Sequence, residues 1–535
     1  MTLDQPAAIR RAHQHGVGDI LRRSAQRTPD KTAIVCGDVQ WSYRDFDQIC
    51  ARLVAALSQQ GIAAGDRVAI LSRNSHAFAA MRFALARMGA VLVPINFMLN
   101  AGEVAYILRS SGARTLLVGA GFEALAVAAV EQGAGDGAQS GVQIGLQIWL
   151  PSEDQPDGAP EGMLRFDDLL MASAPAPDIA PVDPRALLQI IYTSGTESLP
   201  KGAMLSHEAV LWEYVTCIVE GNMQADDVVL HALPLYHCAQ LDVFLGPAVY
   251  LGATNIITGQ PRPDVILPLI ARHRVKAFFA PPSIWIALLR SPLFDGADLG
   301  TLAKGYYGAS IMPVEVLKEM QRRMPGVRLW NFYGQTEIAP LATVLHPDDQ
   351  LRKAGSAGKP ALNVETRIVD DEMRDVATGE IGEIVHRSPQ LLDGYYNDPE
   401  RTAEAFRGGW FHSGDLAVRD EEGYITIVDR KKDMIKSGGE NVASREVEEM
   451  IFRIPEVSEV AVIGLPDPYW VEAVTAVIVL KEGQSLSEQQ VIDFCKAGMA
   501  HFKVPKRVIF ADALPKNPSG KLLKRELRRR YEAQA

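Results

Sequence analysis

The sequence predicts an α/β fold: a large N-terminal domain of parallel α/β sheets with a small β-barrel-like part, followed by a small mobile α+β C-terminal domain. Three observations predict it. Over the first four-fifths of the chain, short β-branched runs alternate with amphipathic helical patterns. From about residue 366 the pattern turns strand-rich. A basic stretch at 429–436 (DRKKDMIK) then precedes a unit in which helices and strands alternate differently. At 535 residues the chain exceeds a single core, and two to four units are expected. We place the boundaries at 1–429, a hinge at 430–435, and 436–535.

Residues 66–71 (DRVAIL), 91–94 and 187–193 (LLQIIYT) read as strands. Residues 77–88 and 206–220 read as helices, the second with Ser206 at its N-cap. The rhythm continues through strands near 228–233 and 275–280 and helices at 263–273 and 313–324. The uncharged stretch 243–261 is broken by Gly, Pro, Asn and Thr and reads as buried strand and turn. Residues 151–184, rich in Pro, Ala and Asp, read as a surface connection between two sheet units. Segments 382–386, 415–419 and 424–428 suggest antiparallel pairing, with a turn at 421–423. The C-terminal unit reads as helix 445–453, strands 459–464 and 473–480, helix 488–500, strand 507–510 and a basic terminal helix.

The formal charge is 54 − 65 = −11, which argues against nucleic acid as a main partner, because a phosphate-binding surface needs a basic field. Cys36, Cys50, Cys217, Cys238 and Cys495 are scattered and form no CxxC pair. Neither a disulfide framework nor a zinc site is expected, and the chain reads as intracellular, in the cytoplasm. No apolar run is long enough to span a membrane.

The motif of greatest weight is at 192–203, YTSGTESLPKGA, read as a loop that follows a strand and precedes a helix. Hydroxyls at Thr193, Ser194, Thr196 and Ser198 crowd around Gly195 and Gly202, with Lys201 close by. Glycines let the backbone approach an anion, successive N–H groups and hydroxyls wrap phosphate oxygens, and a lysine adds a point charge. No GxxxxGK[ST] occurs, so this is not a Walker A loop and an ADP-forming phosphotransferase is disfavoured.

TSGTESLPKG resembles the phosphate-binding signature of the adenylate-forming (AMP-binding) superfamily, which includes acyl-CoA synthetases, luciferases and peptide-synthetase adenylation domains. Glu197 and Ser198 stand where that family usually has Thr-Gly. Further resemblances follow in order: NFYGQTE at 331–337, HSGDL at 412–416, DRKKDMIKSGGENVASRE at 429–446 and PKNPSGKLLKREL at 515–527. The likeness covers essentially the whole chain and implies an ATP- and CoA-dependent acid ligase that works through an acyl-adenylate.

The resemblance implies these roles. Thr193, Ser194, Gly195, Thr196, Glu197 and Lys201 hold phosphates. Thr196 and Glu337 lie near Mg²⁺. Thr336 bonds the α-phosphate. Gly308, Ala309, Ser310, Asn331, Phe332, Tyr333, Gly334 and Gln335 contact the nucleotide, with Tyr333 against adenine. Asp415 and Arg430 take the ribose. Lys521 bridges the attacking carboxylate and phosphorus, since charge builds on those oxygens in the transition state. The small domain then pivots at Lys432, and the loop Gly438, Gly439 and Glu440 admits the CoA thiol. His237, in LPLYHCAQ, is placed at the carboxylate pocket. A homodimer would fit the family.

The acid site is expected from 236–244, 281–288 and 305–311, where Asp242 is the sole acidic residue. This lining favours an uncharged acyl tail: a medium- or long-chain fatty acid first, an aryl or arylalkenoic acid second. A carrier-protein thiol remains the alternative acceptor to CoA.

Overall fold

The computed structural model describes residues 5–133, 143–155, 157–171, 180–193, 200–310, 312–431, 433–438, 440–516 and 522–532. It is a mixed α/β structure with a large N-terminal and a smaller C-terminal domain.

Two large sheets organise the N-terminal domain. The nine-stranded sheet runs Lys359–Pro360, Leu341–Leu345, Arg328–Gly334, Lys304–Gly308, Ala277–Phe279, Val228–His231, Thr254–Ile257, Thr32–Cys36 and Val39–Ser42. Its interior is parallel and its ends are antiparallel. The eight-stranded sheet runs Gly394–Tyr395, Lys201–Ser206, Leu187–Thr193, Val91–Pro94, Arg67–Leu71, Thr115–Gly119, Leu146–Leu150 and Leu164–Arg165.

Local chemistry sets the elements. Ser75 caps helix His76–Met88 by accepting from Phe78 N–H, and Gly89 closes it in the left-handed region. That helix is buried along almost all of its length. Ser206 caps helix His207–Glu220 by accepting from Ala209 N–H, as its position in the sequence predicts.

Three expectations are corrected. The segment after Thr193 does not lead directly into a helix, because strand Lys201–Ser206 returns antiparallel along Leu187–Thr193 before the helix starts. The loop therefore closes a strand pair, and Gly202, whose added Cβ would lie 2.6 Å from Ile190, keeps that pair tight. The first half of the stretch 243–261 is helical, with a π-helix over Leu241–Leu245 and an α-helix over Gly246–Leu251, and only the second half holds the expected strand, Thr254–Ile257. Those helices are buried on nearly all sides, so the polar–apolar period that marks a helix is missing. The connection 151–184 does not join separate sheets; it adds the edge strand Leu164–Arg165, and Leu187–Thr193 returns to the same sheet.

A four-stranded antiparallel sheet (Glu365–Val369, Gly382–Arg387, Phe411–Arg419, Ile425–Arg430) follows. The C-terminal domain pairs Val457–Asp467 with Val471–Leu480 over a long register, with Arg507–Phe510 alongside in parallel. It meets the N-terminal domain where Asp429 Oδ2 accepts from Ser444 N and Oγ, each at 2.7 Å, and where Arg290 Nη1 donates to Ser458 Oγ at 2.8 Å. All five cysteines are buried and free. Among the described residues no helix is long and apolar enough to cross a membrane.

Candidate active site

Three parallel strands of the nine-stranded sheet, Val228–His231, Lys304–Gly308 and Arg328–Gly334, end on the same side and deliver His237, Ala309–Ser310 and Thr336–Glu337. The carboxyl ends of parallel strands are where open α/β sheets place ligands.

After Arg328–Gly334 the chain turns sharply into a 3₁₀ turn, Thr336–Ile338. An added Cβ on Gly334 would lie 1.7 Å from Pro340 O, so only glycine allows the turn. Thr336 and Glu337 are both buried. Their segment is anchored from beneath by Glu213 of helix His207–Glu220. Its carboxylate accepts from Leu341 N at 3.0 Å and Gln390 Nε2 at 2.5 Å, and burial raises its pKa well above the usual range. Thr336 Oγ1 lies 3.3 Å from the buried Cys238 Sγ. His237 is half-buried and caps the short helix Cys238–Gln240, its Nδ1 accepting from Ala239 N at 3.2 Å.

Lys201 opens the strand that returns from the hydroxyl-rich loop. Its Nζ lies 3.9 Å from Glu337 Oε1 and 2.8 Å from Tyr395 Oη. Burial lowers its pKa, and the Glu337 carboxylate opposes that shift. The buried Thr193 Oγ1 and Gln335 Nε2 have no hydrogen-bond partner among the described residues. Buried polar groups are nearly always satisfied, so two orphans on the segments assigned to the nucleotide fit a polar ligand there.

Tyr333 Oη donates to Asp415 Oδ2 at 2.6 Å, and Arg430 Nε lies 3.5 Å from Asp415 Oδ1. Asp415 and Arg430 are directly opposite across paired strands, which brings the two residues assigned to the ribose together. Strand alternation sends Phe332 to the other face, into an apolar cluster with Phe244, Phe279, Tyr306 and Trp330, so a nucleotide would meet only its backbone. Asn331 Nδ2 donates to Ser356 O at 3.0 Å and so braces the strand. Gly308 lies against Phe332, where an added Cβ would be 2.3 Å from the Phe332 carbonyl oxygen. Ala309 has φ +63° and, like Ser310, is exposed.

In the C-terminal domain, Gly438 has φ +62° and its N–H donates to Trp470 O at 2.7 Å. Glu440 is exposed opposite Ser437. Ser194, Gly195, Thr196, Glu197, Lys432, Gly439 and Lys521 lie outside the described residues.

Sequence reasoning missed Glu213, Cys238 and Tyr395. YHC contains Cys238, GYYND contains Tyr395 and WEY contains Glu213, but nothing in their spacing announces that they converge on Thr336, Glu337 and Lys201. Asp242, the sole acidic residue of the segments expected to bind the acid, is fully buried in an ion pair with Arg82.

The AMP-binding enzyme family matches residues 21–396, and its C-terminal domain family matches residues 446–521. The chain is 36% identical over 516 residues to a feruloyl-CoA synthase from Amycolatopsis sp, covering 96% of this chain and 99% of that protein. It is 36% identical over 525 residues to the long-chain-fatty-acid–CoA ligase FadD13 of Mycobacterium tuberculosis, covering 97% and 99%. Among solved structures, that of the anthranilate CoA ligase AuaEII in complex with anthranoyl-AMP superposes with TM-score 0.88 at 27% identity, covering 97% of this chain and 98% of that one. The chain belongs to the AMP-binding enzyme family and is an AMP-forming acid–CoA ligase that works through an acyl-adenylate.

Proposed function

We propose that this ligase activates an aryl or arylalkenoic acid and transfers it to free CoA. One observation carries the reading. Two of the segments expected to bind the acid, 236–244 and 305–311, contribute to a packed aromatic cluster beside the Thr336 turn. Phe244 stacks on Phe279 at 4.6 Å between centroids, with Tyr306 at 5.1 Å and Phe332 at 6.1 Å. A long alkyl chain would have to displace these rings, whereas a flat acyl group can lie against them. With Asp242 neutralised by Arg82, no acidic side chain of these segments remains to favour an ammonium-bearing acid. The similarities to a feruloyl-CoA synthase and an anthranilate CoA ligase point the same way. The likeness to FadD13 favours the second reading, a medium- or long-chain fatty acid.

The residues divide the chemistry as follows. Thr193 and Lys201, with the loop 194–199 between them, hold the phosphates of ATP. Thr336 steadies the α-phosphate. Asp415 accepts from the ribose hydroxyls beside Arg430, and Tyr333 borders the adenine. His237 lines the carboxylate end of the acid site. Lys521 pairs the acid carboxylate with the α-phosphate, and alignment and charge neutralisation carry most of the rate. The C-terminal domain, bounded at 430–435, then pivots at Lys432 and brings Gly438 and Gly439 to the adenylate so that the CoA thiol enters.

Magnesium fits this donor set. Among the described residues no cluster of three or more His, Cys, Asp or Glu could hold a metal. The buried Glu337 offers a hard oxygen donor for an ion that would keep most of its water and phosphate ligands. When bound, the ion supplies charge neutralisation on the phosphates.

The test is a CoA-ligation screen across straight-chain, branched and aromatic acids, reading AMP and acyl-CoA. Benzoate- and cinnamate-type acids are expected to give the highest kcat/KM. A preference for long straight chains would replace the first reading with the second.

A further inference from the structure

Tyr395 lies in a stretch, LLDGYYNDPE, to which the sequence reading assigned no role. Its hydroxyl accepts from Lys201 Nζ at 2.8 Å and donates to Glu337 Oε1 at 3.1 Å. One proton on the hydroxyl satisfies both contacts if Lys201 is an ammonium and Glu337 a carboxylate. The Lys201 ammonium also sits 4.1 Å from the centroid of the tyrosine ring. Tyr395 is 4% exposed.

The backbone fixes this side chain from both sides. Tyr395 pairs with Ala203, two residues from Lys201, and Leu392 N donates to the carbonyl of Glu337 itself at 2.9 Å. Thr402 Oγ1 accepts from Tyr395 N at 2.9 Å. Gly394, at φ +139° with an added Cβ only 2.8 Å from Thr402, lets the strand pass that close. The segment 392–396 therefore clamps the glutamate turn to the lysine strand, with the phenol at the centre.

We propose that Tyr395 is a positioning residue for the nucleotide–metal step. It holds the Glu337 carboxylate in the orientation that receives the metal, and it holds the Lys201 ammonium on its ring face until phosphate takes it. The inference rests on the assignment of Glu337 to magnesium and Lys201 to phosphate. Carboxylate ligands are themselves oriented by hydrogen bonds, and loss of such a partner costs roughly 10- to 100-fold in metal affinity or activity.

The test compares full-length wild type, Tyr395→Phe and Glu337→Gln. Phenylalanine keeps the ring under Lys201 and removes only the hydroxyl. ATP binding is titrated calorimetrically with and without MgCl₂, the Mg²⁺ half-saturation of pyrophosphate–ATP exchange is measured, and thioester formation is followed from supplied acyl-adenylate and CoA. For Tyr395→Phe, the Mg²⁺ half-saturation is expected to rise about 10-fold or more. The gain in ATP affinity on adding magnesium should shrink, while metal-free ATP binding and thioester formation stay close to wild type.

Wild-type magnesium dependence in Tyr395→Phe would overturn the proposal. So would a parallel loss of metal-free ATP binding, metal-bound ATP binding and thioester formation, which marks a merely structural role. If Glu337→Gln keeps the wild-type magnesium dependence, it is the glutamate assignment that fails. If Glu337→Gln loses that dependence while Tyr395→Phe retains it, the tyrosine inference alone fails.

Discussion

Arg82 Nη2 lies 2.9 Å from Asp242 Oδ1, and the two side chains are 1% and 0% exposed. Gln189 Nε2 adds a 2.7 Å hydrogen bond to the other oxygen, and Tyr214 Oη lies 3.3 Å from the first. Burial raises the Asp242 pKa and Arg82 opposes the shift. Removing one partner leaves a buried, uncompensated charge. Asp242→Asn is therefore expected to cost about 3–5 kcal/mol. The double variant Arg82→Met/Asp242→Leu should recover most of that loss. Denaturant midpoints of the three proteins check this, and the ranking of acid substrates should be unchanged in the double variant.

Glu213 links helix His207–Glu220 to the turn that carries Thr336 and Glu337. Its carboxylate also accepts from Cys217 Sγ at 3.1 Å. Glu213→Ala strands the Leu341 N–H, at roughly 1–3 kcal/mol for a buried group left unsatisfied, and leaves Gln390 Nε2 only the Ile338 and Leu341 carbonyls. Adenylation should fall more than thioester formation, because the turn carries Thr336 and Glu337, the residues proposed to meet the nucleotide and its metal. Glu213→Gln keeps an acceptor and is expected to retain more of both. Thermal melts alongside separate half-reaction assays decide the matter.

Asp415 is the sequence-assigned ribose acceptor, and the structure holds it with Tyr333 and Arg430. Hydrogen bonds to charged groups contribute about 1.5–3 kcal/mol. Asp415→Ala should therefore raise the ATP KM roughly 10- to 100-fold and leave the KM for the acid nearly unchanged. Tyr333→Phe loses the bond that orients Asp415 and should produce a smaller rise of the same kind. Steady-state kinetics with ATP and acid varied in turn test both.

Four buried histidines govern an acid limb of stability. Burial depresses the pKa of His76 and His231 to about 4 and of His207 and His386 to about 3, against 6.5 for the exposed group. Above pH 6.5 these rings are neutral in both states and cost nothing. As pH falls from 6.5 towards 4, the unfolded chain binds protons that the folded chain does not, so stability drops. Each ring contributes a slope of about 1.4 kcal/mol per pH unit. Urea midpoints are expected to decline between pH 6.5 and 5, and replacing His231 with an uncharged residue should flatten that decline by about one proton.

Strand Val91–Pro94, strand Leu187–Thr193 and helix Pro263–His273 coincide with their sequence readings, the strands as short apolar runs near breakers and the helix as a longer apolar–polar pattern opened by Pro263. The motifs singled out Asp415, Arg430 and Glu337, and the structure sets the first two opposite each other across paired strands. Helix Gly246–Leu251 was not legible, since a segment buried on nearly all sides shows no amphipathic period, and its Pro247 and Gly252 read as breakers when they are its start and stop.

The sequence by itself determined the α/β alternation, the order of the motifs and the adenylating class of chemistry, since these depend on local periodicity and on residue types at short spacing. Only the tertiary structure decided that Asp242 belongs to Arg82, 160 positions away, and that Tyr395 joins Lys201 to Glu337. Those contacts come from how the sheets and the helices between them pack. No short-range pattern encodes which buried charge or hydroxyl will meet which partner when distant segments converge.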